Sequence, residues 1–286
     1  MIGRRRFLTI IAGALVAGPA TAAEWQGRAL GADARILIRG AAAPAQVLAD
    51  LRAEIARIES TFSLFSDSEL TRLNRDGRAT ASDDLLDALA LARRVHDATD
   101  GAFDPAVQIL WRSLAEDRAH APLRPFGGLV RRGRDLRITP GQALTLNGIA
   151  QGIATDRAAD LLTNRDLGAI LVDLGETRAI AGDFALELAD PQAGVLGRVT
   201  LRAGRAVATS SPGALIFPGG ASHIIGPDGQ PPRWSTVSVE APTAALADAA
   251  STAFVLMGRQ AIADAVRQLG VHQVRLVDFD GNLTTL

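Results

Sequence analysis

Residues 169–210 read "AILVDLGETRAIAGDFALELADPQAGVLGRVTLRAGRAVATS", and this stretch decides the fold class. Short runs of Ile, Val, Leu, Ala and Thr are punctuated by Gly-Glu, Ala-Gly-Asp, Asp-Pro-Gln and Ala-Gly. That is the pattern of strands joined by tight turns. No segment of helical period intervenes, so successive strands must fold back on one another and pair antiparallel.

The reading extends outward in both directions. Upstream, "GLVRRGRDLRIT" (128–139) and "ALTLN" (143–147) predict strands, and a helix follows over about 150–164. Downstream come a strand "STVSVEAP" (235–242), helical "AALADAASTAFVLMG" (244–258) and "QAIADAVRQLG" (260–270). A hairpin "HQVRLVDFDGNLTTL" (272–286) closes the chain, with Asp280-Gly281 at its turn. Nearer the N-terminus, Val47, Leu48, Leu51, Ile55 and Ile58 share one face of a helix over 45–60. "SDSE" (66–69) reads as a capping box opening a second helix, and a third runs from Ser82 to Thr99. Helices first and meandering strands later give an α+β class, one large domain over 24–286 with a mainly antiparallel sheet flanked by helices. There is no βαβ alternation and no dinucleotide-binding glycine fingerprint.

Composition excludes several chemistries. Acidic and basic residues number 31 and 30, so no net field draws the chain to nucleic acid. The sequence contains no cysteine, no tyrosine and no lysine. This removes thiol nucleophiles, iron–sulfur clusters, the lysine of a phosphate loop and Schiff-base catalysis. His96, His120, His223 and His272 are the only imidazoles, and none are paired at zinc-binding spacing. A metal would therefore be a hard, oxygen-ligated ion such as Mg²⁺. Residues 1–23 have the anatomy of an export leader: Arg4-Arg5-Arg6-Phe7-Leu8, a short apolar run broken by Gly18-Pro19, and Ala20-Thr21-Ala22. The paired arginines followed by Phe-Leu fit the twin-arginine type, and a general secretory leader is the alternative. Either predicts a mature chain outside the cytoplasm, with no membrane span.

Four places could carry chemistry. In "GAFDPAV" (101–107), Asp104 reads as an N-cap before a first-turn proline, with Phe103 beside it in the core. In "TLNGIAQGIATD" (145–156), Gly148 and Gly152 stand where strand passes to helix. Exposed amides there would suit a phosphate; tight packing is the alternative. In "ALADAASTA" (245–253), Asp248 and Thr252 are one helical turn apart, so their oxygens can share a cation or remain a solvated acid and a back-bonded hydroxyl. In "SHIIGPDG" (222–229), His223 lies near a strand end beside a turn; "ATSSPG" (208–213) adds small hydroxyl residues, but no nucleophile elbow is present.

Together these segments resemble the ApbE family, the FAD:protein FMN transferases. The resemblance runs through "FSLFSDSELTRLN" (62–74), "TDGAFDPAV" (99–107), "LNGIAQGIATD" (146–156), "LVDLGETRAIAG" (171–182), "ADP" (189–191), "ATSSPG", "HIIGPDG" (223–229) and "VSVEAPTAALADAASTAFVLMG" (237–258), in family order. It implies that FAD is split with Mg²⁺ and its FMN half passed to a threonine hydroxyl of a partner redox protein, releasing AMP. The partner would be a membrane-associated or periplasmic flavoprotein, and Gly-Ile-Ala-Gln-Gly is similar to members that accompany nitrous oxide respiration.

The resemblance also implies site residues. Asp248 and Thr252 match the Mg²⁺-holding pair, with Ser251 at a position where some members carry a further acidic ligand and Gly148 lending its carbonyl. Gln151 matches a polar position facing the flavin nucleotide, where relatives carry lysine or glutamate, and Gly152 is expected to clear space at that nucleotide. Ala102, Phe103, Asp104 and Val237 match FAD contacts, and Phe65 an aromatic that packs on FAD. Leu30 replaces a methionine and Thr145 an acidic residue at two further FAD positions. His223 matches the family histidine, a proton carrier for the acceptor hydroxyl. Gly226 replaces the aspartate that usually follows it. Two alternatives stay open: an FAD-binding or flavin-delivery protein without transferase activity, and an FAD pyrophosphatase.

Overall fold

Three of the five strands in this stretch lie in the middle of an eight-stranded antiparallel sheet, and the other two leave it for a separate layer, so not every successive pair is joined as expected. A computed structural model describes residues 8–10, 22–40, 44–118, 124–163 and 165–286. Of the expected leader, only Leu8–Ile10 and Ala22–Ala23 fall within these; the rest of 1–23, like His120, lies outside the described residues. In chain order, β1 (Leu8–Ile10), β2 (Ala22–Ala29) and β3 (Ala32–Gly40) precede helices α1 (Ala45–Phe62) and α2 (Glu69–Asp76). Then come β4 (Arg78–Thr80), α3 (Asp83–Ala98), α4 (Gln108–Ala115), β5 (Val130–Arg132), β6 (Asp135–Arg137) and α5 (Ala150–Leu162). The expected meander is β7 (Gly168–Asp173), β8 (Thr177–Ile180), β9 (Phe184–Asp190), β10 (Gly194–Leu201) and β11 (Ala206–Ser210). The chain ends with β12 (Thr236–Ala241), α6 (Ala244–Phe254), α7 (Arg259–Leu269), β13 (Gln273–Val277) and β14 (Leu283–Thr285).

The large sheet has the order β14-β13-β12-β11-β8-β7-β3-β2, and each neighbouring pair is antiparallel. β9 leaves it to pair with β1 and β10, and β4, β5 and β6 form a third small sheet. Both faces of the large sheet are covered. Ile36, Ile38, Ile170, Val172 and Val239 belong to the core shared with the helices, whereas Leu37, Leu171 and Val207 meet Phe184, Leu186 and Leu201 of the β9–β10 layer. That double burial explains why "AILVDLG" lacks the polar alternation of a half-exposed strand.

Helix α1 buries Val47, Leu51, Ile55, Ile58 and Phe62 along one stripe, each gaining roughly 1.5–3 kcal/mol by leaving water. Helix α6 is buried on nearly all sides, with Ala-rich flanks that allow close approach to α5, β11 and β12. Gly152 is part of that approach. A Cβ there would lie 2.5 Å from both the Ala244 carbonyl carbon and the Ala245 Cα. Its bareness therefore serves helix–helix contact rather than space for a nucleotide. Asp156, one turn further along α5, accepts hydrogen bonds from the Ala244 and Ala245 amides at 2.9 Å each. Arg178 donates to the same carboxylate at 2.7 Å.

Two local expectations are corrected. The cap of α2 is Ser68 rather than Ser66; it exchanges bonds with Thr71, while Glu69 accepts from the Ser82 amide at 2.9 Å. "ALTLN" joins no sheet. The Asn74 side chain pairs with both backbone groups of Leu144, at 2.7 and 2.8 Å, and the Thr145 amide donates to the Pro105 carbonyl, so the segment's polar groups are met without a ladder.

Because the atoms facing Gly152 are backbone, they cannot yield as a flexible side chain would. Gly152→Ala is expected to destabilise the protein by about 2–3 kcal/mol, measured by urea denaturation.

Candidate active site

One open cleft, enclosing about 1330 Å³ including its solvent-filled mouth, gathers residues from the ends of β7, β11, α5 and α6 and from the 102–107 segment. Thr243 caps α6, its hydroxyl accepting from the Leu246 amide at 3.3 Å, and this sets Asp248 and Thr252 on the cleft side. Asp248 is buried, and its Oδ2 accepts from the Gly152 amide at 3.2 Å. One of the amides expected to meet a phosphate is thus engaged by the carboxylate. Gly148 lies against both the α6 hydroxyl and the aromatic wall: a Cβ would be 3.0 Å from Thr252 Oγ1 and 3.3 Å from Phe103 Cε2.

The opposite wall is the β7–β8 turn. Asp173 accepts from the Gly175 amide at 3.2 Å, and Glu176 accepts from the Thr209 amide at 3.3 Å through its carboxylate. Gly175 has φ +111°, and a Cβ there would come within 2.7 Å of Gln151 Nε2. The glutamine amide therefore lies flat on a bare backbone.

The third wall is "AFD". Phe103 is pinned by the Thr99 hydroxyl, which accepts from its amide at 3.2 Å, and by His96 Nδ1, 2.8 Å from its carbonyl. Asp104 caps the turn that follows, accepting from Ala106 at 2.7 Å and Phe126 at 3.4 Å. Burial pushes its carboxyl above the usual range, and those two amides only partly oppose the shift. Trp111 of α4 stands beside this wall, edge-on to Phe217 with centroids 5.1 Å apart. Across the mouth, His223 Nδ1 is 3.2 Å from the Leu215 carbonyl. A carbonyl can only accept, so Nδ1 carries the proton; in the neutral form of the ring Nε2 is then the basic nitrogen.

The charge of the cleft is distinctive. Asp104, Asp173, Glu176 and Asp248 line it, and among the described lining residues there is no arginine. Among the described residues, no three His, Cys, Asp or Glu side chains converge to hold an ion by themselves. Asp248 and Thr252 instead offer a partial oxygen set, with the Gly148 backbone packed alongside. This fits an ion whose remaining positions are filled by substrate oxygens and water, the habit of Mg²⁺.

The sequence pattern of the ApbE family matches residues 30–275. The chain belongs to the ApbE family. Its fold is that of solved ApbE structures. The apo flavinyl transferase ApbE of Pseudomonas stutzeri superposes with TM-score 0.78 at 21% identity, covering 93% of this chain and 94% of that one. The ApbE protein of Thermotoga maritima gives 0.79 at 25%, covering 92% and 96%. A FAD:protein FMN transferase of Rhodobacter capsulatus is 29% identical over 267 residues, covering 82% of this chain and 51% of that protein. The chain thus spans about half the length of that relative.

The ApbE cleft brings together most of the residues singled out by sequence. Ala102, Phe103, Asp104, Thr145 and Gln151 line it, and so do Gly148, His223, Asp248 and Thr252. Four others lie off its wall. Val237 is fully buried in β12, opposite Ser210. Leu30 sits in the β2–β3 turn with its amide donated to Glu59, and Ala32, the first residue of β3, lines the cleft. Phe65 is 85% exposed in the loop before α2. Ser251 turns inward, donating to the Asp248 carbonyl at 3.1 Å, with Ser210 Oγ 2.8 Å away. Sequence reasoning did not single out Trp111, Asp173, Glu176 or Asp156. The two acids flanking Gly175 were detectable as charges in an otherwise apolar strand–turn–strand; Trp111 carries no comparable signal.

Asp104 provides a pH test with a definite sign. Its folded pKa lies above its unfolded one, so folding takes up protons in the window between them, and its contribution to stability falls as pH rises through that window. Asp104→Asn keeps the cap oxygen and loses the titration. Urea unfolding from about pH 7 down to about pH 4 should show wild type gaining stability relative to the variant on acidification.

Proposed function

We propose that this chain transfers the FMN half of FAD to a threonine hydroxyl of a partner redox protein, with Mg²⁺ held at Asp248 and Thr252, and that it works outside the cytoplasm after twin-arginine export. The observation that carries this reading is the cleft's charge: four carboxylates and no arginine among its described lining residues. Phosphate oxygens placed against such a wall gain from a cation held between them and the carboxylates. The name of the Rhodobacter capsulatus relative supports the substrate and the flavin transfer.

Bound Mg²⁺ would neutralise the pyrophosphate oxygens and the charge developing on the leaving AMP. Asp248 and Thr252 hold that position from one face of α6, and the Gly152 amide fixes the carboxylate's rotamer. Phe103 and Trp111 provide apolar surface for the flavin or adenine ring. The acceptor threonine oxygen forms a bond to the flavin-side phosphorus as the bond from that phosphorus to the bridging oxygen breaks, and AMP carries that oxygen away. His223 Nε2 takes the hydroxyl proton, with Nδ1–H held on the Leu215 carbonyl to keep the tautomer. The protein supplies no nucleophile, which agrees with a chain lacking cysteine and lysine. Among the described residues no helix is long and apolar enough to cross a membrane.

Purified protein, FAD, Mg²⁺ and a candidate acceptor should yield covalent flavin fluorescence on the acceptor in a denaturing gel, with one AMP per flavin transferred. Asp248→Ala or chelation of the metal should reduce the rate by roughly 10²-fold or more, and added Mg²⁺ should restore only the chelated wild type. AMP formed without any acceptor would favour the pyrophosphatase reading. Tight FAD binding with no transfer by either protein would favour flavin delivery.

A further inference from the structure

At the cleft wall, three hydroxyls form a chain that ends on a backbone carbonyl. Ser251 Oγ donates to the Asp248 carbonyl at 3.1 Å, and a carbonyl can only accept. Ser210 Oγ is 2.8 Å from Ser251 Oγ, and Thr252 Oγ1 is 3.4 Å from Ser210 Oγ. A hydroxyl has one proton to give. With the Ser251 proton on the carbonyl, Ser210 must donate to Ser251, and Thr252 must then donate to Ser210. Ser251 is almost wholly buried, and Ser210 is buried at the cleft wall.

We propose that Ser210 is a positioning residue that draws the Thr252 hydroxyl proton back into the protein and so turns the Thr252 lone pairs toward the cation position in the cleft. This rests on the reading that Asp248 and Thr252 hold the metal. Without Ser210, the Thr252 hydroxyl is free to rotate and can present its proton to the cation, a repulsive orientation. Ser251 occupies the position of a possible third ligand, yet its role here is to anchor the chain on α6. Strand β11 and helix α6 are thereby linked at the metal position, and Val237 is the residue paired with Ser210 across the β11–β12 ladder.

The test is Mn²⁺ binding to the full chain in saturating FAD, followed by the electron paramagnetic resonance of free Mn²⁺ with an FAD-only blank subtracted. Ser210→Ala should weaken Mn²⁺ affinity on the order of fivefold, about the worth of one neutral hydrogen bond. Ser251→Ala should act in the same direction, and Ser210→Thr, which retains the hydroxyl, should restore affinity. If Asp248→Ala abolishes Mn²⁺ binding while Ser210→Ala and Ser251→Ala bind as wild type does, the relay is wrong and the metal assignment stands. If Asp248→Ala itself binds Mn²⁺ like wild type, the metal assignment fails and the relay falls with it. Thermal melting of each variant identifies any whose lowered affinity is only misfolding; in that case Ser251→Ala decides the question.

Discussion

Helices α5 and α6 are fastened to each other by a pair of carboxylates, and the rest of the site depends on that fastening. Asp156 on α5 takes the first two amides of α6, and Asp248 on α6 takes the Gly152 amide of α5. Each helix thus presents an acid to the amide-rich end of the other, where the macrodipole favours negative charge. Burial drives the Asp156 carboxyl upward, and the two amides together with Arg178 work against that shift. The arrangement tolerates no spacer. Gly152 lacks a side chain at the very point where the first turn of α6 crosses α5. Asp248 and Thr252 owe their position to this crossing.

The sheet contributes the other half of the site from its own edge-on geometry. β7, β8 and β11 are adjacent and antiparallel, so the β7–β8 turn and the end of β11 emerge on the same side. Asp173 and Glu176 come from the turn, Thr209 and Ser210 from the strand end, and all meet the α5–α6 pair. Covering the sheet's far face with β9 and β10 gives those ends a rigid base, since Leu171 and Val207 are locked in that second core. A half-exposed sheet could present the same residues but would have fewer packed neighbours holding them in place.

Much of this was legible in the sequence, for identifiable reasons. Turn chemistry located the meander, and hydrophobic spacing located α1, because both signals are local. The pairing of Asp248 with Thr252 was legible because one helical turn brings positions four apart onto one face. What escaped were long-range substitutes for local rules. "ALTLN" has strand composition, yet Asn74, some seventy positions away in the chain, satisfies its backbone instead. Gly152 looked like nucleotide clearance because its crossing partner, Ala244, lies far along the sequence. Asp156 looked like an ordinary helical acid for the same reason. Leu30, Phe65, Val237 and Ser251 sit in the right segments but are not among the residues that line the cleft, and motif position alone does not report which neighbour of a segment reaches the wall.

The use of arginine adds a final step. All 30 basic residues are arginine, yet among the described residues none lines the cleft, whose walls at Gly148, Gly175 and Ala102 are nearly side-chain-free. A fixed guanidinium would hold a pyrophosphate as tightly in the ground state as during transfer, and such uniform binding does not speed the chemical step. On the proposed reading, an exchangeable cation instead supplies charge where it develops. Binding would then be gated by metal and nucleotide together. Small residues serve that scheme twice, bringing α5 against α6 and leaving the nucleotide in contact with backbone rather than with competing charge.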